Sequence, residues 1–60
     1  MNFDRKKLLK DIKDSGLMNA FIADNAGIHR SYLWMIKSGK REPTKDILRK
    51  IYYAIGRKYE

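Results

Sequence analysis

Gly27 sits between two short stretches whose apolar residues repeat with helical spacing, and that arrangement leaves few folds open to a chain of 60 residues. Phe21, Ile22, Ala23 and Ala26 put apolar groups on one side of the first stretch, and Leu33 with Ile36 does the same for the second. Gly27 follows the last periodic residue of the first stretch, where a left-handed backbone is cheap only without a Cβ. Ile28 then supplies an apolar plug at the turn. Two short helices crossing steeply are expected, with Ala23 small where they approach most closely. A second glycine, Gly39, closes the second helix.

Charge adds a direction to this unit. Between Asn25 and Arg41 there is no Asp or Glu, whereas Arg30, Lys37, Lys40 and Arg41 all fall there. The second helix and its exit loop should carry a positive field, for which phosphate is the natural counterpart. A tight turn between two short helices, the second one basic, is the layout of a helix-turn-helix DNA reader, here spanning about residues 19–37.

Composition narrows the alternatives. Sixty residues make one domain, 1–60, and a chain this short hides only about 60% of the surface its unfolded form exposes, so a large enclosed active site is not expected. Fourteen Lys and Arg against seven Asp and Glu leave a net charge of +7, which favours polyanionic partners, nucleic acid ahead of an anionic membrane. Neither a membrane-spanning run nor a secretory leader is visible, and the chain reads as cytoplasmic, in a bacterial cytosol or a phage-infected cell. Cysteine is absent and His29 is the only histidine, so disulfides and a Cys/His zinc set are excluded and no metal or cofactor is expected. No Gly-rich phosphate cradle, paired carboxylates or nucleophile beside a base supports an enzyme or a small-molecule substrate.

Four helices follow from a pass along the chain. The first covers Asp4–Asp14, with Leu8, Leu9 and Ile12 apolar and Asn2 or Asp4 as its cap, and Ser15-Gly16 breaks it with Leu17 pinning the turn. The second covers Asn19–Ala26 and the third Arg30–Lys37. Thr44 caps a fourth, with Asp46 in its first turn and Ile47, Leu48, Ile51, Ala54 and Ile55 in helical register until Gly56. The expected fold is a compact all-α bundle. Its core would be Leu8, Leu9, Ile12, Leu17, Phe21, Ile22, Ala23, Ile28, Leu33, Ile36, Ile47, Leu48, Ile51 and Ile55, with 57–60 free to fray.

Leu17, Ala23, Gly27, Ile28, Leu33, Ile36, Gly39, Pro43-Thr44, Ile47, Leu48, Ile51, Ala54, Ile55 and Gly56, as an ordered set over nearly the whole chain, resemble the Cro/CI-type (XRE-like) helix-turn-helix family of phage repressors and related bacterial regulators. The resemblance implies a lambda-repressor-like bundle of four or five helices that regulates transcription, with double-stranded DNA as partner and a homodimer as the usual assembly. It places Arg30, Ser31 and Met35 where the family reads base edges, with Tyr32 beside them, and Asn19 at a helix start set against a phosphate. Lys40 and Arg41 occupy the loop after the reading helix, where further backbone contacts are usual. Two positions depart from the family. Lys37 replaces a Glu often paired with a first-helix Arg, whose partner position is Ile12, and Met18 replaces a polar cap, a role then open to Asn19.

Other residues read from chemistry alone. His29 precedes the third helix and serves as its cap or as a phosphate donor, and Lys37 joins Lys40 and Arg41 as a phosphate ligand. Trp34 lies between the buried Leu33 and Met35, and its indole suits packing on a neighbour, donation to a phosphate or anchoring a protein partner. That last option defines an alternative on the same fold, an antirepressor or adaptor that binds another protein through Trp34, Met35 and the tyrosines Tyr52, Tyr53 and Tyr59. The first-helix lysines and Arg49-Lys50 read as solvated charge.

Overall fold

Each helix begins and ends where local chemistry satisfies its unpaired backbone groups. The computed structural model describes residues 3–59, and among them the order is α1 (Arg5–Ser15), α2 (Asn19–Ala26), α3 (Arg30–Ser38) and α4 (Lys45–Ala54), with no strand. Asp4 caps α1 by accepting the Lys7 N–H on Oδ1 at 3.1 Å, and Thr44 caps α4 by accepting the Ile47 N–H on Oγ1 at 3.2 Å. Asn2, the other expected cap of α1, lies outside the described residues. At α2 the cap position belongs to Met18, which offers no side-chain bond, and Asn19 is the first helical residue rather than a cap. The first and third helices each run one residue further than their apolar pattern suggests, through Ser15 and Ser38.

Gly27 turns the chain between α2 and α3 at φ 71°. Its N–H reaches the Asp24 carbonyl at 3.3 Å while the Ile28 N–H reaches the Ala23 carbonyl at 3.0 Å, so the last turn of α2 closes on itself within the three residues that separate the helices. Ile28 is partly buried against the core, as its place after the glycine suggested.

Burial gathers one apolar layer around α2, which packs against both α4 and α3, while α1 packs against α3. Leu8, Ile22, Leu33, Ile36, Leu48 and Ile51 are fully buried, each stabilising the fold by about 1.5–3 kcal/mol relative to exposure. Ile12, Ala23, Ala26, Tyr52 and Ile55 complete the layer, and Leu17, Ile28 and Ile47 flank it. Overall extents of 26 × 23 × 18 Å are about two helix diameters, which leaves room for that single layer and no more.

Two residues expected in the core are outside it. Leu9 is 36% exposed and Phe21 is 50% exposed. For α1 the reason is visible: its inward face is Leu8, Asp11 and Ile12, so the buried stripe is rotated away from Leu9 by one polar residue. Asp11 is drawn inside because three donors converge on it. The Tyr52 hydroxyl donates to Oδ2 at 2.6 Å, Lys7 Nζ donates to the same oxygen at 2.8 Å, and Arg57 Nη1 donates to Oδ1 at 3.3 Å. A buried carboxylate is tolerable only when paired and hydrogen-bonded in this way. The Lys7 and Tyr52 hydrogen bonds hold the Asp11 carboxyl below the usual carboxylate range. Burial, then the bond to Asp11, pushes the Tyr52 phenol well above the ordinary tyrosine value.

The same cluster corrects the expected fraying of residues 57–59. Arg57 is held to Asp11, and the Tyr59 ring lies 5.2 Å from the Tyr52 ring at 42°, so the segment after α4 is packed against the bundle. Glu60 lies outside the described residues.

Candidate nucleic-acid interface

With Leu33 and Ile36 fully buried, helical geometry turns the opposite side of α3 outward. Arg30, Ser31, Trp34 and Ser38 are exposed there, at spacings of three and four residues that set them one above another on consecutive turns. Tyr32 and Met35 are half-buried along one flank and Lys37 along the other. The base-edge candidates Arg30 and Ser31 thus lie fully on this surface, while Tyr32 and Met35 present one edge to it.

The start of α3 is fixed by His29, whose Nδ1 accepts the Ser31 N–H at 3.3 Å. A neutral imidazole that accepts at Nδ1 carries its proton at Nε2, so the exposed ring keeps a donor for an anion. Asn19, at the first turn of α2, accepts Lys37 Nζ on Oδ1 at 2.9 Å. That bond ties the start of α2 to the end of α3, and it leaves the Asn19 NH2 group as a donor.

Beyond Gly39 the chain folds back over the end of α3. The Met35 carbonyl accepts the Lys40 N–H at 2.9 Å and the Arg41 N–H at 3.2 Å, which brings both cations beside the exposed face. Their side chains then settle over aromatic rings. Lys40 Nζ lies 5.9 Å from the Trp34 ring centre and the Arg41 guanidinium 5.8 Å from that of Tyr32. Such contacts are weak when exposed, about 0.5–1 kcal/mol, but they bias long side chains toward one location.

Arg5 holds this loop from underneath. Its Nε donates to the Ile36 carbonyl at 2.9 Å, and its Nη2 donates to the Arg41 carbonyl at 3.4 Å and to Glu42 Oε2 at 3.3 Å. One guanidinium therefore satisfies a carbonyl at the C-terminal end of α3, opposes that end's negative dipole and pairs with the carboxylate nearest Lys40 and Arg41 in sequence. Through Arg5, α1 grips the end of α3.

The sequence leaves Trp34 open to packing, phosphate donation or a protein partner, and its spacing of three and four residues from Ser31 and Arg30 sets it on the exposed side once the buried stripe of α3 is known. Arg5 carried no local signal, because its partners lie 31 to 37 residues away. Of the C-terminal tyrosines, Tyr52 is buried and Tyr59 packs on it, while Tyr53 is 81% exposed on α4.

Comparison with protein-family models, with curated proteins and with solved structures finds no match. Among the described residues no helix is long and apolar enough to cross a membrane.

Proposed function

We propose that this chain is a sequence-specific double-stranded DNA-binding regulator of transcription, of phage or mobile-element type, in which α2, the Gly27 turn and α3 act as a helix-turn-helix. On this reading α3 enters the major groove. Arg30 pairs with guanine O6 and N7, Ser31 and Tyr32 reach neighbouring base edges, and Met35 offers an apolar contact at the flank. Asn19, His29, Lys37, Lys40 and Arg41 hold phosphates and set the register.

One observation supports this reading above the others: α3 exposes Arg30, Ser31 and Trp34 on a single side, with Lys40 and Arg41 folded back beside it and Glu42 occupied by Arg5. A duplex entering there meets cations and hydrogen-bond donors. The resemblance to Cro/CI-type repressors agrees with this, and a homodimer would read a near-palindrome with half-sites about 34–36 Å apart.

Electrophoretic mobility shift with random duplexes at low salt, a salt titration, and selection of bound sequences test the proposal. A steep salt dependence with a recovered consensus is the expected result. Steep dependence without consensus leaves a nonspecific binder, and an unshifted duplex overturns the proposal.

A second reading, a protein-binding antirepressor or adaptor, draws on the exposed Trp34 with Met35 beside it. Packing of Tyr52 and Tyr59 into the Asp11 cluster leaves only Tyr53 of the C-terminal tyrosines for such a surface. An unshifted duplex, together with a partner whose capture Trp34→Ala abolishes, favours this second reading.

A further inference from the structure

Trp34 is 55% exposed in the middle of a helix whose adjacent Leu33 is fully buried. Arg30 and Ser31 lie one turn before it and Ser38 one turn after, so the indole projects from the middle turn of the exposed side. Lys40 lies over its ring, 5.9 Å from the ring centre. We infer that Trp34 reads the 5-methyl group of a thymine in the major groove, and that Lys40, stacked on the same ring, holds the phosphate beside that base. This rests on the DNA-binding reading above and deepens it by naming an apolar element of the sequence code.

The argument is one of matching chemistries. A major groove offers hydrogen-bond donors and acceptors at every base pair but only one protruding apolar group, the thymine methyl. An indole on the reading face cannot replace a polar side chain in pairing with G, C or A edges beyond one N–H donor, whereas its ring edge suits a methyl. The cation beside the ring discriminates between partners. Seating Trp34 in an apolar protein pocket would displace the Lys40 ammonium from the ring and forfeit that contact, with nothing in return unless an acid accompanies it. On a duplex the same ammonium meets phosphate. Arg30 at the preceding turn extends the pattern, so the face presents a guanine-pairing cation and a methyl-contacting ring one turn apart.

The experiment uses the full chain and the duplex recovered by selection, with each thymine replaced in turn by uracil, which deletes the methyl and keeps every hydrogen-bonding edge. Wild type should lose affinity about fourfold at the contacted thymine, the worth of one buried CH2-sized group. Trp34→Ala should bind the thymine duplex more weakly and show no response to uracil at that position, while Trp34→Phe should keep part of the response. Circular dichroism and a urea midpoint near that of wild type establish that the variants are folded, as expected for an exposed residue. A wild type indifferent to uracil at all positions, a selected site without thymine, or a uracil penalty of equal size in Trp34→Ala overturns the inference while the DNA-binding reading stands. A duplex that never shifts overturns both.

Discussion

The Tyr52 hydroxyl donates to Asp11 Oδ2 at 2.6 Å across 41 residues of sequence, joining α4 to α1 through a carboxylate that is only 5% exposed. This bond holds Asp11 on the inner side of α1, between the buried Leu8 and Ile12.

Tyr52→Phe removes the hydroxyl and keeps the ring. A hydrogen bond to a charged group contributes about 1.5–3 kcal/mol, and because Lys7 and Arg57 still serve Asp11, the loss should fall near the lower end. Urea denaturation of the two proteins measures it, and an unchanged midpoint with unchanged slope would show the bond to be energetically idle.

The depressed pKa of Asp11 makes the fold acid-sensitive. A carboxyl that ionises more readily when folded than when unfolded stabilises the native state at any pH above the unfolded value, about 4, and that contribution disappears as pH falls through the lower folded value. Urea midpoints taken from pH 6 to pH 2.5 should therefore drop most below about pH 4. Asp11→Asn should be less stable at neutral pH and should show a flatter profile across that window.

Arg5→Ala should loosen the loop that carries Lys40 and Arg41. It removes a charged donor from the Ile36 carbonyl and frees Glu42, which should cost about 1–2 kcal/mol in stability and weaken duplex binding beyond what lost stability explains. Arg5→Lys should recover little of either, because an ammonium lacks the planar fork that reaches two carbonyls and a carboxylate together. Denaturation and mobility shift on the same samples separate the two effects, and full recovery by lysine would contradict the clamp.

Lys40→Ala with Arg41→Ala should weaken binding to all duplexes alike. Removing two phosphate contacts should lower the slope of log affinity against log salt by about 1.8, while the selected consensus stays unchanged. A changed consensus would mean that these side chains read bases.

Ala23→Leu should destabilise the bundle by about 1–3 kcal/mol. Ala23 has no exposed surface in α2, the helix packed against both α3 and α4, and added methylenes there force its neighbours apart. A thermal midpoint equal to that of wild type would place the closest approach of these helices elsewhere.

Helix positions were legible along the chain because their causes are local. Gly27 and Gly39 adopt left-handed backbone at the ends of α2 and α3, Asp4 and Thr44 accept first-turn amides, and Ile22, Leu33, Ile36, Leu48 and Ile51 repeat with the period that buries them. Arg30 and Ser31 were legible for the same reason: once a helix has an apolar stripe, its opposite side is exposed.

Tertiary structure alone decided the rest. Leu9 and Asp11 compete for the inner side of α1, and no pattern within eleven residues says that a tyrosine from α4 and an arginine after it will make the acid the better choice. Arg5 is one basic residue among fourteen until folding brings the end of α3 and Glu42 to its guanidinium. Trp34 gains a cation over its ring only when the loop after Gly39 returns Lys40 to it. Periodicity and capping act over one or two turns and are written in neighbouring residues, whereas ion pairs and stacking depend on which distant groups the packed bundle happens to bring within reach.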